Sequence, residues 1–383
     1  MWDSASPAAS IFLASGFSYS QTESQPAYSA GNASRSALFL ATTMNHTNPT
    51  LTDSKNISAP NKGIINARPL LETGVFFIAF AFLANYFAPR AGDSALYLIA
   101  YCVTLFIQGM IFERLYIIGH EAAHKKLHDN QLYNDIIGQI VLNNLFVPLH
   151  VYRSIHQFHH GFNRKNHATS ALDVFISPWQ ITGLVRVFYF AVWYFCVFAG
   201  GFFFYSLISI ILFMLTPLSL AKKISPAFQK WNKRDRLVSW IEFLSAVVFH
   251  GVYIWMFSIS SWIYTFGLPL IMFAWIYSML NYIFHYRTTI SKETRYNVRS
   301  VYVNRFTQWW LMNFNFHATH HMYPNLAWYE LPTQTHPLPE SFHEKNQYGK
   351  SLWQAITHQL RGPTIVYKQH SETESEPLNE VGR

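Results

Sequence analysis

ALYLIAYCVTLFIQGMIFERLYII, residues 95–118, runs through Gly119 straight into His120-Glu-Ala-Ala-His124. A helix needs about 20 apolar residues to cross the hydrocarbon core of a bilayer, and this stretch is long enough. A membrane-length helix thus delivers a pair of histidines at its end. Upstream, LLETGVFFIAFAFLANYFAP (70–89) is also long enough to span, and the short loop between the two makes them a hairpin. Downstream lie apolar stretches at 187–216, interrupted by Gly200-Gly201, at 237–257 and at 262–284; the last ends at His285.

Composition agrees with a lipid environment. Of 383 residues, 50% are hydrophobic, 17% aromatic and only 13% charged, against about 25% charged in a soluble domain. The net charge of +8 suits either nucleic acid or an anionic membrane surface, and the long apolar runs select the membrane, leaving no role for nucleic acid. The two cysteines, Cys102 and Cys196, sit in apolar stretches. They support no disulfide framework and are too few for cysteine-based zinc or iron–sulfur sites. Histidine, with 18 copies, is the residue left to bind metal.

Three clusters and a single histidine stand out: His120/His124, His156-Gln-Phe-His159-His160, His317-Ala-Thr-His320-His321, and His285 within Asn281-Tyr-Ile-Phe-His285. Residues three and four apart share a helix face, so each cluster aims imidazoles together. Imidazole suits iron, copper, zinc and nickel. Eight imidazoles in three clusters exceed the capacity of one metal, so two metals are implied. If all clusters serve one site, they lie on one side of the membrane, and an even number of crossings separates His160 from His285. The stretch 217–236 carries Lys222, Lys223, Lys230, Lys233, Arg234 and Arg236, and short basic loops favour the cytoplasm. Both conditions hold if 187–216 enters and returns or lies at the interface. The expected fold is therefore all-α integral membrane: four transmembrane helices, one re-entrant or interfacial element, and a cytoplasmic helical cap carrying the histidine boxes.

In order, spacing and placement beside apolar hairpins, these boxes resemble the membrane fatty acid desaturase and hydroxylase superfamily across roughly residues 70–335. The resemblance implies a non-haem di-iron centre, with His120, His124, His156, His159, His160, His317, His320 and His321 as ligands and O2 as co-substrate. It further implies His285 as an iron ligand and Asn281 as a contact to iron through water. The third box begins with His317 rather than the glutamine of front-end enzymes, and the chain has no His-Pro-Gly-Gly haem motif. Electrons are then expected from a separate ferredoxin or cytochrome b5 type donor, for which the basic 217–236 stretch offers a dock for acidic groups. The expected reaction is desaturation of a fatty acyl chain in a membrane lipid or acyl substrate, with the active site facing the cytoplasm. Hydroxylation or ketolation of a carotenoid, sphingolipid or other hydrophobic substrate is the alternative, since the surroundings of His320-His321-Met-Tyr-Pro resemble those enzymes too. His120-Glu121-Ala-Ala-His124 also spells the HExxH zinc-protease motif, a reading that leaves both HxxHH boxes unused. Glu121 and Asp173 lie near the boxes and are candidates to orient an imidazole.

Residues 1–66, rich in Ser, Ala, Thr and Asn, are expected to be disordered. They carry no evident secretory signal, and Arg35 as the only arginine before residue 68 speaks against a transit peptide. Sequons begin at Asn32, Asn45 and Asn56 and are expected to be unused on the cytoplasmic side; Met44 is a conceivable true start. A catalytic domain is expected over 67–361 and a disordered tail over 362–383.

Overall fold

The structure, a computed structural model, describes residues 61–169, 173–177, 181–346 and 351–367. The sequons, Met44 and the far C-terminal tail lie outside the described residues. Regular structure reaches past both expected limits of the catalytic domain: a helix begins at Lys62, and Thr364–Tyr367 form a strand.

Helix α1 (Lys62–Phe87) starts where the Asn61 side chain accepts the Ile64 N–H, and α2 (Ala95–Ala123) where Ser94 accepts that of Tyr97. Each cap satisfies a donor that the first helical turn leaves orphaned. Next come α3 (Gln131–Asn143), capped by Asn130, and α4 (Leu149–Phe162). Strand β1 (Val174–Ser177), α5 (Gly183–Phe198), α6 (Gly201–Leu215) and the short α7 (Leu218–Ile224) follow. Helix α8 (Lys233–Phe257) opens with a reciprocal Asn232–Asp235 capping box, and α9 spans Ile259–Tyr282. Within α9, Ile263–Gly267 forms a π-turn just before Pro269, whose missing N–H cannot continue the ladder to Thr265. The short helices α10 (Arg305–Trp310), α11 (His317–Met322), α12 (Glu340–Asn346) and α13 (Leu352–His358) complete the chain. Strand β2 (Thr364–Tyr367) then pairs in parallel with β1, Val174 opposite Thr364.

Among the described residues, four helices are long and apolar enough to cross a membrane: Lys62–Arg90, α2, α8 and α9. Their surfaces invert the soluble pattern. Leu71, Ile78 and Phe82 of α1 are each 71% exposed, whereas Thr73, Gln108, Glu113, Arg114 and Thr265 are buried. Outward apolar faces and inward polar groups suit a hydrocarbon solvent. Arg114 shows how such an interior charge is satisfied: it donates to Thr73 Oγ1, to the carbonyls of Trp309 and Trp310, and to Glu72.

The expected fifth element is the bent pair α5–α6, folded by 87°. Gly200 makes the bend with φ +81°, and a Cβ there would meet the backbone of Ala274 and Trp275 at 3.1 Å. Glycine both adopts the left-handed conformation and lets the bend seat against α9. The pair starts near β1, where Tyr189 packs on Phe175, and ends where Arg236 of α8 donates to the carbonyls of Met214 and Thr216.

Candidate metal centre

Two of the long helices end at the site. Helix α2 carries His120 in its last turn and His124 just past its end, and His285 lies in the turn after α9. The α2 terminus leaves carbonyls without helical partners, and Arg153 of α4 takes two of them, Ala122 O and Ala123 O, each at 3.1 Å. A cation there also complements the helix dipole, and it ties the helix of the first box to that of the second. The start of α4, at Pro148, has no side-chain cap of its own. Gln139 Oε1 of α3 accepts the Leu149 N–H and Glu242 Oε2 of α8 accepts the His150 N–H, both at 2.8 Å. Box three, on α11, is anchored where Ser300 Oγ accepts the Ala318 N–H at 3.0 Å.

All nine predicted histidines come together, in two groups whose ring nitrogens lie within 4.8 Å of one another: His120, His124, His156, His160 and His320, and separately His159, His285, His317 and His321. The boxes are thus not the sites. Boxes two and three each contribute to both groups, and their members at i and i+4 stay together while the i+3 member goes to the other group.

Within the groups, Nε2 atoms face one another: His124 to His156 at 2.8 Å, His156 to His160 at 3.0 Å, and His285 to His317 at 3.1 Å. An imidazole nitrogen carries one hydrogen or one in-plane lone pair, so His156 Nε2 cannot satisfy two such neighbours by hydrogen bonding. An ion with metal–nitrogen bonds of about 2.1 Å would hold adjacent octahedral ligands about 3.0 Å apart, which fits. Nε2 of His120, His320 and His321 are buried without hydrogen-bond partners, a state that coordination would relieve. Burial also keeps the imidazoles neutral. It lowers the pKa of His124 and of His159 to about 4, and burial with neighbouring imidazoles pushes His156, His160, His285, His317, His320 and His321 well below the usual histidine value. Neutral imidazole is the form that binds metal.

Aromatic rings wall the site. Phe314 packs on His120 and His317 with centroids 5.1 and 4.6 Å away, Phe284 on His317 at 4.6 Å, and Tyr152 stacks on His156 at 5.5 Å. Asn281 sits one turn before His285 and donates its amide to Glu113 Oε1 at 2.9 Å and to Tyr277 O at 3.3 Å. Of the two carboxylates expected to orient imidazoles, Glu121 lies 3.5 Å from His120 Nδ1 and accepts the Trp328 N–H at 3.0 Å. Among the described residues Asp173 reaches no histidine; it takes Arg164, the Tyr282 hydroxyl and the Arg287 N–H. The residue that does touch an imidazole is Asn163, its side-chain amide 2.9 Å from His285 Nδ1. It stands four residues after His159, at the C-cap of α4, and that spacing was the available signal. His128, one turn beyond His124, is engaged by the Asn130 N–H instead.

Helices of membrane length with two all-histidine clusters at their ends fit the class of membrane proteins whose histidines could hold metal. The fatty acid desaturase family pattern matches residues 94–351, and the chain belongs to that family. Among its relatives, the sn-1 acyl-lipid omega-3 desaturase (ferredoxin) of Synechocystis sp. is 23% identical over 297 residues, covering 74% of this chain and 79% of that protein. An endoplasmic-reticulum omega-3 fatty acid desaturase of Nicotiana tabacum is 34% identical over 67 residues, 18% of this chain and 17% of the relative. An oleoyl-12-hydroxylase of Ricinus communis is 34% identical over 85 residues, 22% and 21% of the two chains. With the last two, the match spans about a fifth of the relative's length.

Proposed function

We propose that this protein is an O2-dependent membrane desaturase acting on a fatty acyl chain through two histidine-bound irons. The observation that carries the reading is the convergence of nine histidines into two clusters at the shared end of α2 and α9. One iron would be held by His120, His124, His156, His160 and His320, the other by His159, His285, His317 and His321, with Asn281 near the second through water. An unactivated methylene yields hydrogen only to a very strong oxidant, which no side chain is, so the bound irons would supply the oxidising power drawn from O2.

The protein's own residues supply the rest. Burial holds the imidazoles neutral and ready to ligate, Phe284, Phe314 and Tyr152 limit water at the clusters, and Arg153 fixes the ends that carry boxes one and two. Desaturation removes one hydrogen from each of two adjacent carbons and turns O2 into two waters, so two electrons and two protons must enter. The Synechocystis relative is named for ferredoxin, which favours a separate donor, of ferredoxin or cytochrome b5 type. The basic 217–236 stretch and the bent pair, which begins near β1 and ends beside Arg236, support a re-entrant element and a cytoplasmic active site.

Expression in a host of defined lipid content, with lipid profiling and metal analysis, tests the proposal. New acyl double bonds and two irons per chain are expected. A single zinc would sink it in favour of the HExxH protease. Oxygenated acyl chains would shift the product to hydroxylation, the activity for which one relative is named, and oxygenated pigment would shift it to carotenoid hydroxylation or ketolation. Reporter fusions after residue 225 test the topology, and an external location would overturn it.

A further inference from the structure

Glu113 is 1% exposed in the middle of a membrane-length helix. Its Oε2 has no hydrogen-bond partner, and its Oε1 accepts from Asn281 Nδ2 at 2.9 Å. The neighbouring Arg114 is turned to Glu72 and to the carbonyls of Trp309 and Trp310. Burying a carboxyl group with one oxygen unpaired is costly, and a leucine would fill the same space without that cost. The cost is explicable if the carboxyl group acts on Asn281.

Chemistry fixes the direction of that contact. Tyr277 O is an acceptor only, so the Asn281 group that faces it, and Glu113 Oε1 with it, must be the NH2. Both its hydrogens are then spent, one on Glu113 and one back along α9 on Tyr277. The planar amide leaves its oxygen on the opposite side of Cγ, able to accept but not to donate. His285 follows Asn281 by one turn, and Glu113 precedes His120 by two turns of α2, so a single hydrogen bond also joins the helix feeding the first cluster to the helix feeding the second.

We infer that Glu113 is a positioning residue of the metal centre: it commits the Asn281 amide oxygen to the second cluster and holds α2 and α9 in register. This rests on the di-iron reading above. The test compares wild type with Glu113→Gln, Glu113→Ala and Glu113→Leu, reading iron per chain, the spectroscopic signature of the paired irons, thermal stability of the iron-free protein, and product formation. Glu113→Gln keeps an acceptor oxygen and is expected to keep both irons. Glu113→Ala and Glu113→Leu are expected to lose the second iron and at least about tenfold in product formation. The iron-free Glu113→Leu protein is expected to melt no lower than wild type, which separates positioning from folding. If wild type binds two irons and Glu113→Leu does as well, with unchanged activity and spectrum, the assignment of Glu113 is overturned while the di-iron reading stands. Equal impairment of Glu113→Gln and Glu113→Leu would overturn it too. Wild type without two irons would instead overturn the reading on which it rests.

Discussion

The two histidine clusters are built differently. The first has five histidines, all in or at the ends of the helices α2, α4 and α11. The second has four, and one of them, His285, sits in the turn beyond α9 rather than in a helix. Its missing regularity is made up by amides: Asn163 holds His285 Nδ1, and Asn281, tied to Glu113, lies one turn before it. Where the backbone leaves the regular helix, at His285, an amide fixes the ligand directly, as partners of metal-bound histidines do. The second cluster should therefore be the more easily emptied.

The largest effect tests both clusters at once. Removing iron with a chelator should abolish product formation, ferrous iron should restore it, and zinc should not; activity surviving complete removal, verified by metal analysis, would break the di-iron picture. Single ligands come next. His159→Ala, from the second cluster, and His320→Ala, from the first, should each abolish product formation, and full activity in both variants would be incompatible with the proposed centre. Their iron contents should differ, because five ligands tolerate a loss better than four. His320→Ala should stay closer to two irons per chain, and His159→Ala should fall toward one. Asn163→Leu should cost about 10- to 100-fold in affinity or activity, the usual range for a partner that orients a metal ligand, with the loss confined to the second iron. Iron loss from the first cluster in that variant would contradict the division.

Much of this was legible in the sequence. The four membrane-length helices and the bend at Gly200 follow from apolar runs and a Gly-Gly break, eight of the histidines from spacing beside those runs, and His285 from the family resemblance. Their partition was not read, although helix geometry contains it. Adjacent residues on a helix point about 100° apart, so His159 and His160, like His320 and His321, were bound to face different ways, and counting histidines box by box concealed this. Glu113 was out of reach for another reason. Its partner Asn281 is 168 residues away, and no local periodicity reports such a contact. Asp173, close to the second box in sequence, illustrates the converse: proximity along the chain suggested an imidazole partner, but Arg164 nearby offered a stronger one.

The smallest predicted effect separates the clusters through the scaffold. Gly200 presses the bent pair against α9 at Ala274 and Trp275, and α9 leads to His285, which belongs to the second cluster alone. Gly200→Ala should cost about 1–2 kcal/mol for an alanine in the left-handed region, and more for a Cβ set 3.1 Å from backbone that cannot turn away. Gly183 offers the control, with φ +56° and open space around its Cβ position, so Gly183→Ala carries the backbone penalty without the contact. Thermal melting should place Gly200→Ala below Gly183→Ala by a few degrees. Metal analysis should show the iron lost by Gly200→Ala to be the second. If the two variants melt together and lose no iron, the bent pair does not buttress α9, and the weaker support of the second cluster must lie wholly in the chain that follows Tyr282.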